Sequence, residues 1–113
     1  MKSYKRTERV ADLVMRELAT IIQRNKDDPL LAGVTITHVR VSPDLSHAKV
    51  FVTVLDQKKI SDTLDALNKA AGFLQHILCK KVNLRATPKL HFIYDESIIR
   101  GQELSALIDR IEE

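Results

Sequence analysis

The segment at residues 34–55 reads VTITHVRVSPDLSHAKVFVTVL and contains two runs of β-branched residues around a short polar connection. In the second run, the apolar residues recur at every other position, at Ala48, Val50, Val52 and Val54. This period of two places them on one face of a strand. Residues 42–46 contain proline, aspartate and serine, which favour a tight turn. The segment therefore predicts a β-hairpin formed by residues 34–41 and 48–55.

The two predicted strands differ in how regularly their apolar residues alternate. In the first, the apolar phase shifts between Ile36 and Val39, which predicts a β-bulge near Thr37 and His38. In the second, the face opposite the valines carries Lys49, Phe51 and Thr53, and His91 and Ile93 are expected to join it from a third strand. We expect this face to be partly exposed.

Apolar residues at helical spacing predict a long helix on each side of the hairpin. The first spans about residues 3–25, with a stripe at Val10, Leu13, Val14, Leu18, Ile21 and Ile22. The second spans about residues 61–79 and has Gly72 in its middle. Glycine costs about 1 kcal/mol relative to alanine inside a helix. Gly72 therefore marks either a kink or a close approach by another backbone.

After Pro88, residues 90–94 predict a third short strand, and Asp95-Glu96-Ser97 is typical of a helix start. A last amphipathic helix is marked by Leu104, Leu107, Ile108 and Ile111. The order is helix, strand, strand, broken helix, strand, helix. It predicts one α+β domain over residues 1–113, with a three-stranded mixed sheet and helices on one face.

Composition places the chain among ordinary globular proteins. Of its 113 residues, 44% are hydrophobic and 29% charged, and it has one cysteine. No apolar run approaches the ~20 residues of a membrane span, and the N-terminus shows no apolar leader. A single cysteine allows no internal disulfide and suits a reducing cytoplasm. We therefore expect a cytoplasmic protein without a membrane contact.

The formal charge of +3 is unevenly distributed along the chain. Residues 1–26 carry +4, residues 27–57 carry −2, residues 58–89 carry +5 and residues 90–113 carry −4. From Ala66 to Tyr94 there is no acidic residue at all. A segment whose charges are all basic is typical of a surface that binds the phosphate backbone of a nucleic acid. The alternative is that these charges only solvate a helix surface.

The sequence contains no recognisable catalytic constellation, so we expect no enzymatic activity, no cofactor and no metal. His76 and Cys79 are three residues apart on a helix and could share a metal, but no second pair accompanies them. A partly packed histidine beside a core cysteine is the simpler interpretation. The three glycines are too few for a phosphate-binding loop, and adjacent Asp95 and Glu96 suit a helix cap better than acid–base chemistry.

Three motifs resemble the ribosome-binding factor A family. They are VSPDLSHAKV at residues 41–50, ALNKAAGFL at residues 66–74 and PKLHFIYDES at residues 88–97. The opening helix, with Arg6-Thr7-Glu8-Arg9-Val10, is also similar. The match runs in order over almost the whole chain.

The resemblance implies a type II KH-like fold with the order α-β-β-α-α-β, in which Ala70-Ala71-Gly72 forms an Ala-x-Gly kink in place of the usual GXXG loop. It also implies a monomeric, non-catalytic maturation factor that binds the free or immature small ribosomal subunit and its rRNA. Support of rRNA end-processing, a role in cold adaptation and a release-promoting GTPase partner are implied on the same grounds.

RNA contacts are expected first from four basic residues within residues 58–89, the range that carries a charge of +5. They are Lys69, Lys80, Lys81 and Arg85. Ala70, Gly72 and Lys89 are expected beside them, with Lys5, Arg6 and Arg9 of the first helix as further candidates. The alternative is a protein-interaction module that docks through the last amphipathic helix.

Overall fold

The computed structural model describes residues 2–29, 31–81 and 87–97, with side chains from Arg6 onward in the first range. Three helices and three strands lie in these ranges: α1 (Lys2–Arg24), β1 (Val34–Val41), β2 (His47–Val54), α2 (Ile60–Lys69), α3 (Ala71–Lys81) and β3 (Lys89–Tyr94). A short 3-10 turn, Gln57–Lys59, precedes α2. The order is the predicted one. The predicted last helix, residues 104–111, lies outside the described residues.

The hairpin is antiparallel, with Val34 opposite Val54 and Val41 opposite Ala48. Its register shifts between Ile36 and His38, so the predicted β-bulge is confirmed. The extra residue changes the phase of β1. As a result Ile36 and Val39, three positions apart, are both buried on the same side of the sheet.

The turn of the hairpin is organised around Asp44. The Leu45 amide donates to the Ser42 carbonyl at 2.8 Å, with Pro43 in the position of a β-turn that proline favours. The hydroxyls of Ser42 and Ser46 each donate to the Asp44 carboxylate at 2.7 Å. These bonds, with that from the Ser46 amide, lower the pKa of Asp44 from 3.8 to about 2.

β3 pairs in parallel with β2, so that β2 is the central strand of a mixed sheet in the order β1-β2-β3. A parallel connection needs a long crossover, and α2 and α3 provide it. The three helices pack on one sheet face, as predicted. The core contains the stripe of α1, the inner faces of the strands and the buried positions of α2 and α3. Leu18, Val50, Val52 and Leu78 are fully buried in it.

The predicted interhelical kink at Ala70-Ala71-Gly72 is confirmed, and within it the structure places the break at Ala70, two residues before Gly72. The Ala70 amide closes α2 on the Ala66 carbonyl at 3.0 Å, and the Ala70 carbonyl accepts the Leu74 amide at 2.9 Å. Ala70 thus ends one helix and opens the next, and Gly72 lies in the first turn of α3. The apolar spacing continues through the junction, so the pattern could not locate the break.

One further feature concerns the residues that follow β3. The Ser97 amide donates to the Asp95 carboxylate at 2.9 Å, which agrees with the predicted helix start. None of the helices in the described ranges is both long enough and apolar enough to cross a membrane.

Replacing Asp44 with asparagine should flatten the acid dependence of stability. Because the folded-state pKa is lowered to about 2, the carboxylate contributes stability that is fully present above about pH 4 and is lost as the pH falls through 2. The free energy of unfolding, measured with urea between pH 5 and pH 2, should therefore fall less steeply in Asp44→Asn. Asp12→Asn, on the exposed side of α1, is the control and should change the slope less. An Asp44→Asn slope equal to that of the unchanged protein would contradict the role of the turn.

The two described glycines should respond oppositely to alanine. Gly33 has φ +82°, and a Cβ there would meet the Leu55 Cβ at 3.0 Å. Since the Leu55 Cβ is fixed by its own backbone, rotation of the Leu55 side chain cannot relieve this contact, which adds to a backbone strain of about 1–2 kcal/mol. Gly72→Ala meets no such obstacle and should leave the melting temperature unchanged or raise it. Equal losses in both variants would exclude this explanation.

Candidate nucleic-acid interface

Three of the predicted RNA-binding lysines are exposed at helix ends. Lys69 lies in the last turn of α2, and Lys80 and Lys81 lie in the last turn of α3. With a rise of about 1.5 Å per residue, α3 separates Lys69 from Lys80 by about 16 Å, enough to reach different phosphates. Cations in a last turn also stabilise the helix dipole, so these lysines contribute to the fold as well.

The other predicted contacts are spread over the molecule. Arg6 and Arg9 are exposed on α1, and Lys5 belongs to the same helix, with its side chain outside the description. Arg85 lies outside the described residues. Lys89 is exposed as the first residue of β3, where its register partner is His47. The structure therefore brings Lys89 near the helix junction but leaves Arg6 and Arg9 on a separate element.

A groove of about 520 Å³ lies between the α2–α3 junction and β3. One side is formed by the helices and the other by the strand; its lining is Asn68, Ala71, Gly72, Gln75, Lys89, Leu90, His91 and Phe92. Apart from its two chain neighbours and the backbone of its own helix, a Cβ added at Gly72 would have no atom of the described structure within 4 Å. No other part of the described chain therefore approaches Gly72, which excludes close internal packing as the reason for this glycine.

Asn68 fixes the junction against the edge of the sheet. Its amide nitrogen donates to the Phe92 carbonyl at 3.1 Å, and its amide oxygen accepts the Phe92 amide at 2.8 Å. The side chain thus bonds β3 as a neighbouring strand would, which protects an edge strand from pairing with other chains. This role of Asn68 is not predicted by the periodicity of the helix. The available signal was an asparagine inside a helix, where it is an unfavourable residue.

The groove also receives backbone groups of β3. Lys89 donates its amide to the Ser46 carbonyl and Asp95 donates to Val52, so odd-numbered residues of β3 bond to β2. The even-numbered residues direct their amides and carbonyls to the opposite edge. The Asn68 side chain bonds to the backbone amide and carbonyl of Phe92, whereas the backbone amide and carbonyl of Leu90 face the groove. Polar backbone and the open Gly72 position therefore lie in one groove.

The His76–Cys79 pair is on the surface. Both side chains are exposed, so the predicted core cysteine is wrong. Leu74 and Leu78 occupy the buried side of α3, and Cys79 lies one residue beyond it. Within the described ranges, no group of three histidine, cysteine or acidic side chains could hold a metal ion.

The element order, the parallel β2–β3 pair and the helix junction at Ala70-Ala71-Gly72 define a type II KH-like domain in which this junction takes the place of the usual GXXG loop. A family model described as ribosome-binding factor A matches residues 6–108. The chain belongs to the ribosome-binding factor A family. The predicted family and fold are confirmed.

Relatives and solved structures agree with this assignment. Ribosome-binding factor A of Pseudomonas aeruginosa is 55% identical over 112 residues, covering 96% of this chain and 87% of the relative. That of Pseudomonas fluorescens is 50% identical, covering 96% and 86%. The crystal structure of ribosome-binding factor A from Thermus thermophilus has a TM-score of 0.67 at 30% identity, covering 78% of this chain and 94% of that one.

One similar set of coordinates belongs to a complex. It is a homology model of Thermus thermophilus ribosome binding factor A fitted into a cryo-EM map of a 30S complex of that protein. Its TM-score is 0.61 at 32% identity, and the alignment covers 74% of this chain and 89% of that one.

Proposed function

We propose that this protein is a non-catalytic assembly factor that binds the free or immature small ribosomal subunit through its rRNA. Membership of the ribosome-binding factor A family supports the ribosome as the target. The similarity to coordinates from a 30S complex of a Thermus thermophilus relative supports the small subunit. In this proposal the groove between the α2–α3 junction and β3 is the rRNA-binding surface.

The observation that carries the proposal is the environment of Gly72. Its φ is not positive, so its backbone conformation is open to any residue, and no described atom lies where a Cβ would be. The fold of the described chain therefore has no need of glycine at this position. A ligand whose own backbone lies against the helix would need it, because a Cβ would hold that backbone away.

The charges around the groove favour a phosphate backbone as this ligand. The segment from Ala66 to Tyr94 has no acidic residue, and the first turn of α3 has none to occupy its N-terminal amides. Lys69 lies at this end of α3, and Lys80 and Lys81 lie at the other. An RNA strand along α3 would meet positive charge at both ends of the helix.

The finer parts of the proposal follow the family resemblance. We infer that the protein assists late subunit maturation and rRNA end-processing, acts in cold adaptation, and is released with the help of a GTPase. It works as a cytoplasmic monomer without a cofactor. Arg85, Lys5, Arg6 and Arg9 remain proposed contacts. Docking through the last amphipathic helix stays a prediction, because residues 104–111 lie outside the described structure.

Removing two lysines at the end of α3 should weaken rRNA binding. Replacing Lys80 and Lys81 with alanine should lower affinity for free small subunits and reduce the slope of log K against log salt by about two, since each phosphate contact contributes about one. Lys58→Ala with Lys59→Ala removes an equal charge from an exposed pair at the far end of α2 and is the control. Co-sedimentation should show that the unchanged protein prefers free subunits to complete ribosomes. A salt slope near zero for that protein would overturn the proposal.

Gly72→Val should separate binding from folding. The Cβ of a residue at this position meets no described neighbour outside its own helix, and the helix propensity of valine is no worse than that of glycine, so the melting temperature should change little. The added side chain should nevertheless hold an RNA backbone away and reduce co-sedimentation with free small subunits. Gly72→Ala should give a smaller reduction. A parallel loss of stability and binding would assign Gly72 a structural role only.

A further inference from the structure

The sheet has one face that no helix of the described residues covers. Register places its outward-facing residues in adjacent rows. Arg40 lies opposite Lys49, which lies opposite His91, and His38 lies opposite Phe51, which lies opposite Ile93. His47 lies opposite Lys89 in a third row. Neighbouring strands are about 4.8 Å apart, so these side chains form one continuous surface, which we call the open face.

Positive charge predominates on the strands of the open face, although the carboxylate of Asp95, directly after β3, accepts a hydrogen bond from Thr37 and lies near His38. None of the three strands contains an aspartate or glutamate. Arg40 and Lys49 are exposed and directly opposite each other, an arrangement that destabilises a sheet when the charges are alike. A fold selected for stability alone would not favour this pair. An anionic ligand would neutralise it.

Flat rings lie beside these cations. His47 Nδ1 and His91 Nε2 are 3.0 Å apart, so one ring donates a hydrogen bond and the other accepts it. The rings of His38 and Phe51 have centroids 5.9 Å apart, and Ile93 beside Phe51 is 36% exposed. A nucleic-acid strand binds to cations through its phosphates and packs its bases and riboses on flat apolar groups. The open face offers both kinds of group side by side.

The open face is continuous with the groove at the α2–α3 junction. Lys89 and His91 line that groove, and both also belong to rows of the open face. A strand of RNA leaving the groove would therefore pass around β3 by way of Lys89 and reach Lys49 and Arg40 without crossing an acidic residue of the sheet.

We propose that the open face is a second RNA-binding surface, in which Arg40, Lys49 and Lys89 contact phosphates and a base or ribose packs over Phe51 and Ile93. This inference rests on the proposed function and extends it, because it assigns rRNA contacts to the sheet side opposite α1. The exposed histidine rings and the half-buried Phe51 ring distinguish the surface from one that only attracts acidic proteins.

The test is the paired replacement Arg40→Ala with Lys49→Ala. It should weaken binding to free small subunits by about tenfold and reduce the salt slope by about two. Arg24→Ala with Lys26→Ala removes the same two residue types at the C-terminal end of α1, on the helix side of the sheet, and should have little effect. Arg40→Lys with Lys49→Arg keeps both charges and should keep the slope. Loss of the like-charge pair should leave the melting temperature unchanged or raise it, so a folding defect is not expected.

The outcomes separate this inference from the proposed function. If the unchanged protein binds with a steep salt slope and the Arg40→Ala, Lys49→Ala variant behaves identically, the open face is not an RNA surface and the groove proposal stands. If the unchanged protein shows no salt-dependent binding, the proposed function fails first. A photo-crosslinking residue at position 35, exposed on the open face, identifies the partner. Adducts with small subunits that ribonuclease removes are expected, whereas adducts with ribosomal proteins alone would overturn the inference.

Discussion

Burial of the inner face of β2 under the helices is the interaction on which the rest of this structure depends. Ala48, Val50 and Val52 are fully buried, as are Leu18 of α1 and Leu78 of α3. Each large apolar side chain of this kind contributes about 1.5–3 kcal/mol on burial. Because β2 is also paired on both edges, the hairpin, the parallel strand and the helical crossover all depend on this one layer.

This arrangement leaves two parts of the sheet available for binding. One is the outer edge of β3, where Asn68 bonds to Phe92 and the groove beside Gly72 receives the backbone of Leu90. The other is the open face. Both can carry unbalanced positive charge, because the stability of the fold comes from the opposite face of the sheet. Lys89 belongs to both surfaces, and a single RNA strand could therefore use them together.

The sequence-based predictions agreed best with the structure where a local pattern of residues is compatible with only one local conformation. The shift in apolar phase between Ile36 and Val39 has a bulge as its natural explanation, and the bulge is there. The prediction was less accurate in the second helical segment, where the apolar spacing passes through Ala70 without interruption. Asn68, two residues before the break, bonds to Phe92, which is 24 residues away along the chain. Cys79 was assigned to the core although it lies just outside the buried side of α3.

For the candidate site, too, some features were evident from the sequence and others only from the structure. Its positive charge, its lack of acidic residues between Ala66 and Tyr94, and Gly72 were evident from the chain alone, because they are properties of residue types and their order. So were the family and the order of elements, since the motifs and the periodicities are local. Only the tertiary structure showed that a Cβ at Gly72 would meet no described atom outside its own helix, that Asn68 completes the edge of β3, and that Arg40 and Lys49 share a face with His91. These facts depend on strand register and on contacts between distant segments, which no local pattern encodes.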